Sequence, residues 1–246
     1  MIFLPDYVYR YRDDLYKIVT LYAPSGRVNN RYDEVEFHGK TADNVRRAQR
    51  QIEAYSLCND WHWFLTATLD GSKVDRTDLE GFRSCFTRLI RDLRRRCGQI
   101  SFLLVPELHR SGDAWHMHGL LAGLPIEELR PFSLDERLPP YLRRKVLNGS
   151  PVFDWPAYRA AFGFCDVEPV RNRDAAARYI TKYVSKGLTS SSKAIAARKH
   201  LYYPSKGLKL PERLEDVPEW LSETPSEHSY EWEYGSASWI KASPQA

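Results

Sequence analysis

The spacing of apolar residues separates the chain into strand-like and helix-like stretches. Trp61-His62-Trp63-Phe64-Leu65-Thr66-Ala67-Thr68-Leu69 is aromatic, apolar and β-branched and stops at Asp70-Gly71, which predicts a strand. Leu79, Phe82, Phe86, Leu89, Ile90 and Leu93 then recur at three- and four-residue intervals, one stripe of a helix. Thr77-Asp78-Leu79-Glu80 has the form of a capping box at its start. Gln99 to Leu108 and Trp115 to Leu124 are apolar strands joined by the polar loop His109 to Ala114, a predicted hairpin. Phe164 to Pro169 reads as the last strand. It delivers the chain to a helix that Asn172 or Asp174 can cap, Ala175, Ala176 and Ala177 favour, and Gly187 can end.

The flanks are less regular. Residues 1–40 carry Tyr7, Tyr9, Tyr11, Tyr16, Tyr22 and Tyr32 among Pro, Gly and Asn, with a short strand from Lys17 to Tyr22. These tyrosines either pack in a core or stack on bases. Residues 42–57 read as a helix containing Arg46, Arg47 and Arg50. Residues 125–160 are rich in Pro and Arg and predict a connection with short helices, a lid or a DNA-contacting insertion. A flexible polar stretch, Thr189 to Ser192, and a helix, Lys193 to Lys199, follow the tyrosine helix. Tyr202 to Lys209 is a basic, aromatic loop suited to gripping a nucleic-acid strand, with Tyr203 and Lys206 as its contacts. The expected organisation is an N-terminal arm and helix (1–58), a main domain (59–211), and an acidic, Trp-bearing, loosely ordered tail (212–246).

Composition narrows the class. The chain has 246 residues, 43% hydrophobic and 13% aromatic, enough for a globular core. A net charge of +4 is too small to mark a nucleic-acid binder by itself. Cys58, Cys85, Cys97 and Cys165 lack CxxC spacing, which predicts reduced thiols in a cytosolic protein. No signal peptide, long apolar run or lipidation motif appears, so a soluble intracellular protein with no membrane partner is expected. No GxxxxGK[ST] appears, so no nucleotide-driven motor is encoded. Arg83, Arg88, Arg91, Arg94, Arg95 and Arg96 crowd one helix. They either complement its dipole or track phosphates, Arg94 and Arg95 foremost.

Candidate chemistry lies in two places. If the six hairpin-loop residues are unpaired, Leu108 faces Trp115, Glu107 faces His116 and Val105 faces His118. His116 and His118, two apart on a strand, share one face. Glu107 would point to that face with its Cβ about 5 Å from that of His116. Two imidazoles and a carboxylate then form a three-ligand divalent-metal site with open positions. The competing reading is an ordinary pair of surface or core histidines. The second place is the helix Arg178 to Gly187, where Tyr179, Lys182, Tyr183 and Lys186 share a face while Ala176, Ile180 and Val184 turn to a core. A tyrosine can be a covalent nucleophile, and a nearby ammonium disfavours the neutral phenol and stabilises a phosphate in transfer. The competing reading is an amphipathic helix whose tyrosines pack their rings and snorkel their hydroxyls.

The ordered triple of strand Phe64 to Asp70, His116-Met117-His118 and Tyr179-Ile180-Thr181-Lys182-Tyr183 resembles the HUH endonucleases. Within them it is most similar to the rolling-circle replication initiators, in particular the two-tyrosine gene A type of small single-stranded DNA phages. The resemblance covers roughly Asn59 to Pro211. It implies an α+β fold, a central antiparallel sheet with flanking helices, ferredoxin- or RRM-like, with the tyrosines on a helix facing the His pair. It also implies a chemistry. His116, His118 and Glu107 hold a divalent ion on a scissile phosphate of single-stranded or hairpin origin DNA. Tyr179 attacks first and leaves a 5′-phosphotyrosine and a free 3′-hydroxyl. Tyr183 acts in the second cut, Lys182 supports the phosphate, and Lys186 is a lesser candidate.

Two nitrogen ligands suit Mn²⁺ better than Mg²⁺, while Mg²⁺ is more abundant and either is expected to work; Zn²⁺ is the rival on ligand type. With no helicase domain fused, a host helicase and DNA polymerase are expected partners, in the cytoplasm of a bacterial cell bearing the phage or plasmid. A transposase or relaxase of the same chemistry, and a non-catalytic origin-binding protein, are the alternatives.

Overall fold

The structure is a computed structural model and describes residues 2–3, 7–23, 39–109, 114–189, 200–215, 218–232 and 235–242. It is an α+β protein in two compact units, residues 38–208 and residues 1–37 with 209–246. No helix among the described residues is long and apolar enough to cross a membrane.

The N-terminal strands are β1 (Ile2–Phe3), β2 (Tyr7–Arg12) and β3 (Leu15–Ala23). The larger unit follows with α1 (Gly39–Cys58), β4 (Trp63–Thr68), α2 (Leu79–Cys97), β5 (Ser101–Leu108) and β6 (Trp115–Ala122). Residues 125–160 then form a 3₁₀ turn (Ile126–Glu128), β7 (Arg130–Pro131), α3 (Pro140–Leu147), β8 (Phe153–Asp154) and most of α4 (Pro156–Ala161). The unit closes with β9 (Cys165–Pro169), α5 (Arg173–Thr189) and β10 (Tyr203–Pro204).

All seven strands of its sheet are antiparallel, in the order β10-β5-β6-β4-β9-β8-β7. β4 and β5 therefore run parallel with β6 inserted between them, and α2 makes the crossover, a split β-α-β arrangement. β9, expected as the last strand, is neither last nor at an edge. It lies between β4 and β8. Gly163, at φ 134°, leads into it where a Cβ would meet the Asp70 backbone nitrogen at 2.9 Å.

Both faces of the sheet are covered, so β5 is buried almost throughout rather than at alternate residues. On one face Leu65, Leu104, Met117 and Val167 pack beneath Phe82, Phe86, Ile90 and Leu93 of α2, with Trp155, Tyr158 and Phe162 around α4. On the other, Leu103, Val105 and Leu120 meet Ala48 and Ile52 of α1 and Ile180, Tyr183 and Val184 of α5. Helix α2 starts as its apolar stripe predicts, but its N-cap is Asp78, which accepts from the Glu80 and Gly81 amides. Thr77 instead donates to Asp75 Oδ1 through both its amide and its hydroxyl, so the Thr77 capping box does not form. The tyrosine helix is capped by Asn172, whose Oδ1 accepts from the Ala175 amide at 2.8 Å. It does not end at Gly187 but continues to Thr189, a single helical glycine costing only about 1 kcal/mol. Residues 190–192 and the helix predicted at Lys193 to Lys199 lie outside the described residues.

The smaller unit corrects the picture of an arm and a loose tail. β11 (Glu212–Leu214), α6 (Glu219–Glu223), β12 (His228–Trp232) and β13 (Gly235–Lys241) come from the C-terminal stretch. They join the N-terminal strands in a sheet of order β11-β2-β3-β13-β12, with β1 also on β3. β13 pairs with β3 from Gly235–Leu21 to Lys241–Leu15. Val8, Tyr16, Ile240 and Leu221 form its core. The acidic, Ser- and Pro-bearing composition of the tail hid strands whose partners lie at the other end of the chain. Helix α1 belongs instead to the larger unit.

Candidate nucleic-acid cleavage site

The hairpin pairs in the predicted register: Leu108 with Trp115, Glu107 with His116, and Val105 with His118. Glu107, His116 and His118 consequently share the sheet face that lies under α5. Glu107 reaches diagonally, and its Oε2 accepts from His118 Nε2 at 2.9 Å. His118 Nδ1 is one of three buried side-chain polar atoms without a hydrogen-bond partner among the described residues. The His118 ring is held in place, 5% exposed. His116 is stacked on His109 at 5.0 Å. Burial, followed by the neighbouring His109 and His118, lowers the His116 pKa and keeps its imidazole neutral.

Helix α5 brings both tyrosines over this face but not equivalently. Burying Ile180 and Val184 also turns Tyr183 inward, 5% exposed, whereas Tyr179 is 49% exposed. The Tyr183 ring lies on His118, centroids 3.5 Å apart and 10° from parallel. Tyr179 meets Tyr183 edge-on at 5.2 Å and Phe64 at 5.2 Å. Burial, and then a side-chain hydrogen bond with Tyr179, push the Tyr183 phenol well above its ordinary pKa; the Tyr179, Glu107 and Asp166 charges add to this. Lys182 is exposed. Lys186 lies in α5, with its side chain outside the described part.

Asp166, which sequence reasoning passed over, completes the face. It pairs with Thr66, and Thr66 pairs with His118, so Asp166 sits two strands from the histidine on the same side. It is 2% exposed and accepts from the Tyr141 hydroxyl of α3 at 2.6 Å. Burial raises its pKa, partly opposed by that hydrogen bond. Beside it, Lys145 of α3 reaches Glu168 at 2.6 Å. The signal was present in Phe-Cys-Asp-Val-Glu-Pro, where two acids alternate on a strand, but only the sheet order shows what they face.

Three expected DNA contacts fall elsewhere. Arg94 turns back along α2 and donates through Nε to the Ile100 carbonyl at 2.8 Å, closing the helix end. Arg95 lies on the same helix, across the sheet from α5, and pairs with Asp92. Tyr203 is 3% exposed in the α2-side core, with Arg83 over its ring and its hydroxyl donating to Glu80 at 3.3 Å. β10 pairing with β5 buries it, so the loop does not present this ring to a ligand. Lys206 stays exposed in the following turn.

For a divalent ion the donors fit in kind: a neutral imidazole, an imidazole with an unpartnered buried nitrogen, and a carboxylate, all on one face. Among the described residues no three His, Cys, Asp or Glu side chains converge on one point, Glu107 being bonded to His118 and His116 lying on His109.

A split β-α-β sheet with paired histidines under a two-tyrosine helix is what residues 62–188 contribute, and this stretch matches the family model of the replication-associated protein ORF2. It spans a little more than half of the chain, and the chain belongs to that family. The match runs from the start of β4 to the end of α5. It encloses Glu107, His116, His118, Asp166, Tyr179, Lys182 and Tyr183 and leaves out α1 and the terminal sheet. No curated protein and no solved structure matches the chain.

Proposed function

We propose that this replication-associated protein is a rolling-circle initiator that nicks and rejoins single-stranded origin DNA through a covalent 5′-phosphotyrosine. The observation that carries the reading is the stacking of the two-tyrosine helix on the face that holds Glu107, His116 and His118. Tyr179, the exposed phenol, attacks the phosphorus in line; the 3′-oxygen leaves as the hydroxyl that a host polymerase extends. Lys182, one turn along, neutralises the phosphate. Tyr183 acts after Tyr179, cutting the regenerated origin. The new 3′-hydroxyl then attacks the first phosphotyrosine, so rejoining conserves bond energy and needs no nucleotide hydrolysis. His116, His118 and Glu107 would hold Mn²⁺ or Mg²⁺, once Glu107 releases His118. Such an ion polarises a phosphate oxygen and offsets developing charge. Host helicase supplies unwinding, in the cytoplasm of a bacterium carrying the phage or plasmid.

The test is cleavage of labelled single-stranded origin DNA with Mn²⁺ or with EDTA. Nicking that requires the ion and disappears in Tyr179→Phe/Tyr183→Phe, with DNA binding retained, supports the reading. Nicking that persists in the double variant overturns it.

A further inference from the structure

The terminal sheet has two unlike faces. Val8, Tyr16 and Ile240 point to one side, where Leu221 of α6 packs on them. Alternate residues point to the other. There, pairing aligns Arg213 with Tyr9, Tyr9 with Lys17, and Lys17 with Trp239, one row across four strands. The next row holds Tyr7, Val19, Ala237 and Tyr230. Tyr11 adds a ring 4.8 Å from Trp239. Lys17 Nζ sits 4.8 Å from the Trp239 ring centre and 5.6 Å from that of Tyr230, and the Arg213 guanidinium sits 4.4 Å from Tyr7. Tyr230 is 46% exposed and Arg213 is exposed. The acids of these strands are segregated: the register turns Glu212 and Glu231 to the α6 side, where Glu212 pairs with Arg10.

We propose that this ring-and-cation face binds a segment of single-stranded DNA, in addition to whatever α5 and β6 engage. Flat aromatic rings interleaved with cations match unpaired bases strung on phosphates. Bases stack on the rings while the ammonium and guanidinium groups, held over neighbouring rings, meet the backbone. A duplex hides its base faces and would leave the rings without partners. An acidic peptide would satisfy the cations but not a row of rings. The sheet lies outside the family-matched segment, which makes it a property of this chain that residues 62–188 do not supply. The proposal does not depend on the nicking chemistry, because binding is measurable without cleavage.

The experiment is fluorescence anisotropy of a labelled single-stranded oligonucleotide with the full chain in EDTA, over a salt series. Tyr230→Ala and Trp239→Ala should each weaken binding by roughly 5- to 150-fold, the range for losing one base–ring stack. Trp239→Phe, which keeps a ring, should retain most of it. Arg213→Gln should reduce the slope of log affinity against log salt by roughly 0.7, the value for one single-strand phosphate contact. Tyr230 and Arg213 are outside the core, so these two variants decide the matter even if Trp239→Ala fails to fold. Wild-type affinity and slope in both would overturn the proposal, as would duplex DNA binding as tightly with the same sensitivities. Loss of binding in these variants in a protein that shows no nicking would leave the platform standing and remove the nuclease reading alone.

Discussion

The Tyr183 ring lies flat on the His118 imidazole, 3.5 Å between centroids. One phenol thus covers the histidine on which the proposed chemistry depends, while Tyr179, one turn earlier, stands half in solvent. The two tyrosines are therefore ordered by their surroundings. Tyr179 is reachable as the helix stands; Tyr183 must leave its ring stack and its hydrogen bond before it can react. Tyr179→Phe should lower the first cleavage of single-stranded DNA by roughly 10⁴-fold or more, the scale for loss of a nucleophile. Tyr183→Phe should keep a single round of cleavage and fail in the release step. Single-turnover gels with both variants check the order, and the reverse pattern would assign Tyr183 as the first nucleophile.

Glu107 reaches His118 from the neighbouring strand, and the pair is proposed to open toward a divalent ion. Glu107→Ala should weaken Mn²⁺ binding at least about tenfold, as should His118→Ala. Calorimetric titration of the DNA-free protein reads this directly. Unchanged Mn²⁺ affinity in Glu107→Ala would remove the carboxylate from the site.

Arg94 of α2 serves the fold. Arg94→Gln should cost roughly 1–2 kcal/mol through the lost bond to the Ile100 carbonyl, and leave cleavage per folded molecule unchanged. Phe86 is 1% exposed among Phe82, Phe102, Trp155, Tyr158 and Phe162. Phe86→Ala should cost about 3–5 kcal/mol. Chemical denaturation measures both, beside the nicking assay.

Asp166 makes stability depend on pH. Burial raises its folded pKa above the ordinary value of 3.8, so between the two values the folded chain keeps a proton that the unfolded chain has released. Stability from this group therefore falls as pH rises through that window, and at neutral pH the buried carboxylate is a cost. Asp166→Asn still accepts from Tyr141 and should melt at a higher temperature than the parent at pH 7, with the gain vanishing toward pH 4. A parent more stable than the variant at pH 7 would mean that the Lys145 charge, which opposes the effect of burial, outweighs it.

The strands between Trp61 and Leu124, their hairpin and the shared face of Glu107, His116 and His118 were legible because each depends on local spacing. A six-residue loop sets the register that brings Glu107 beside the histidines, and only period two is needed to put His116 and His118 on one face. The apolar stripe of α2 was equally plain. What escaped depends on long-range packing. Helical spacing puts Tyr183 on the same face as Tyr179, yet the helix rolls so that Ile180, Tyr183 and Val184 are buried together. Tyr203 reads as a loop aromatic until β10 pairs with β5. Asp166 gains its meaning from β9 lying beside β4, and β13 finds its partner in β3 at the opposite end of the chain.

The central claim is a covalent bond between a tyrosine of α5 and DNA. It is tested most directly by mixing the full chain with labelled single-stranded origin DNA and Mn²⁺, denaturing in SDS, and mapping any adduct by mass spectrometry. The account predicts a metal-dependent, SDS-stable species whose nucleotide is carried on Tyr179, and on Tyr183 when a second cleavage is allowed. DNA that binds yet forms no adduct or nick with either Mn²⁺ or Mg²⁺ would contradict it, and would leave the paired histidines as part of a binding surface.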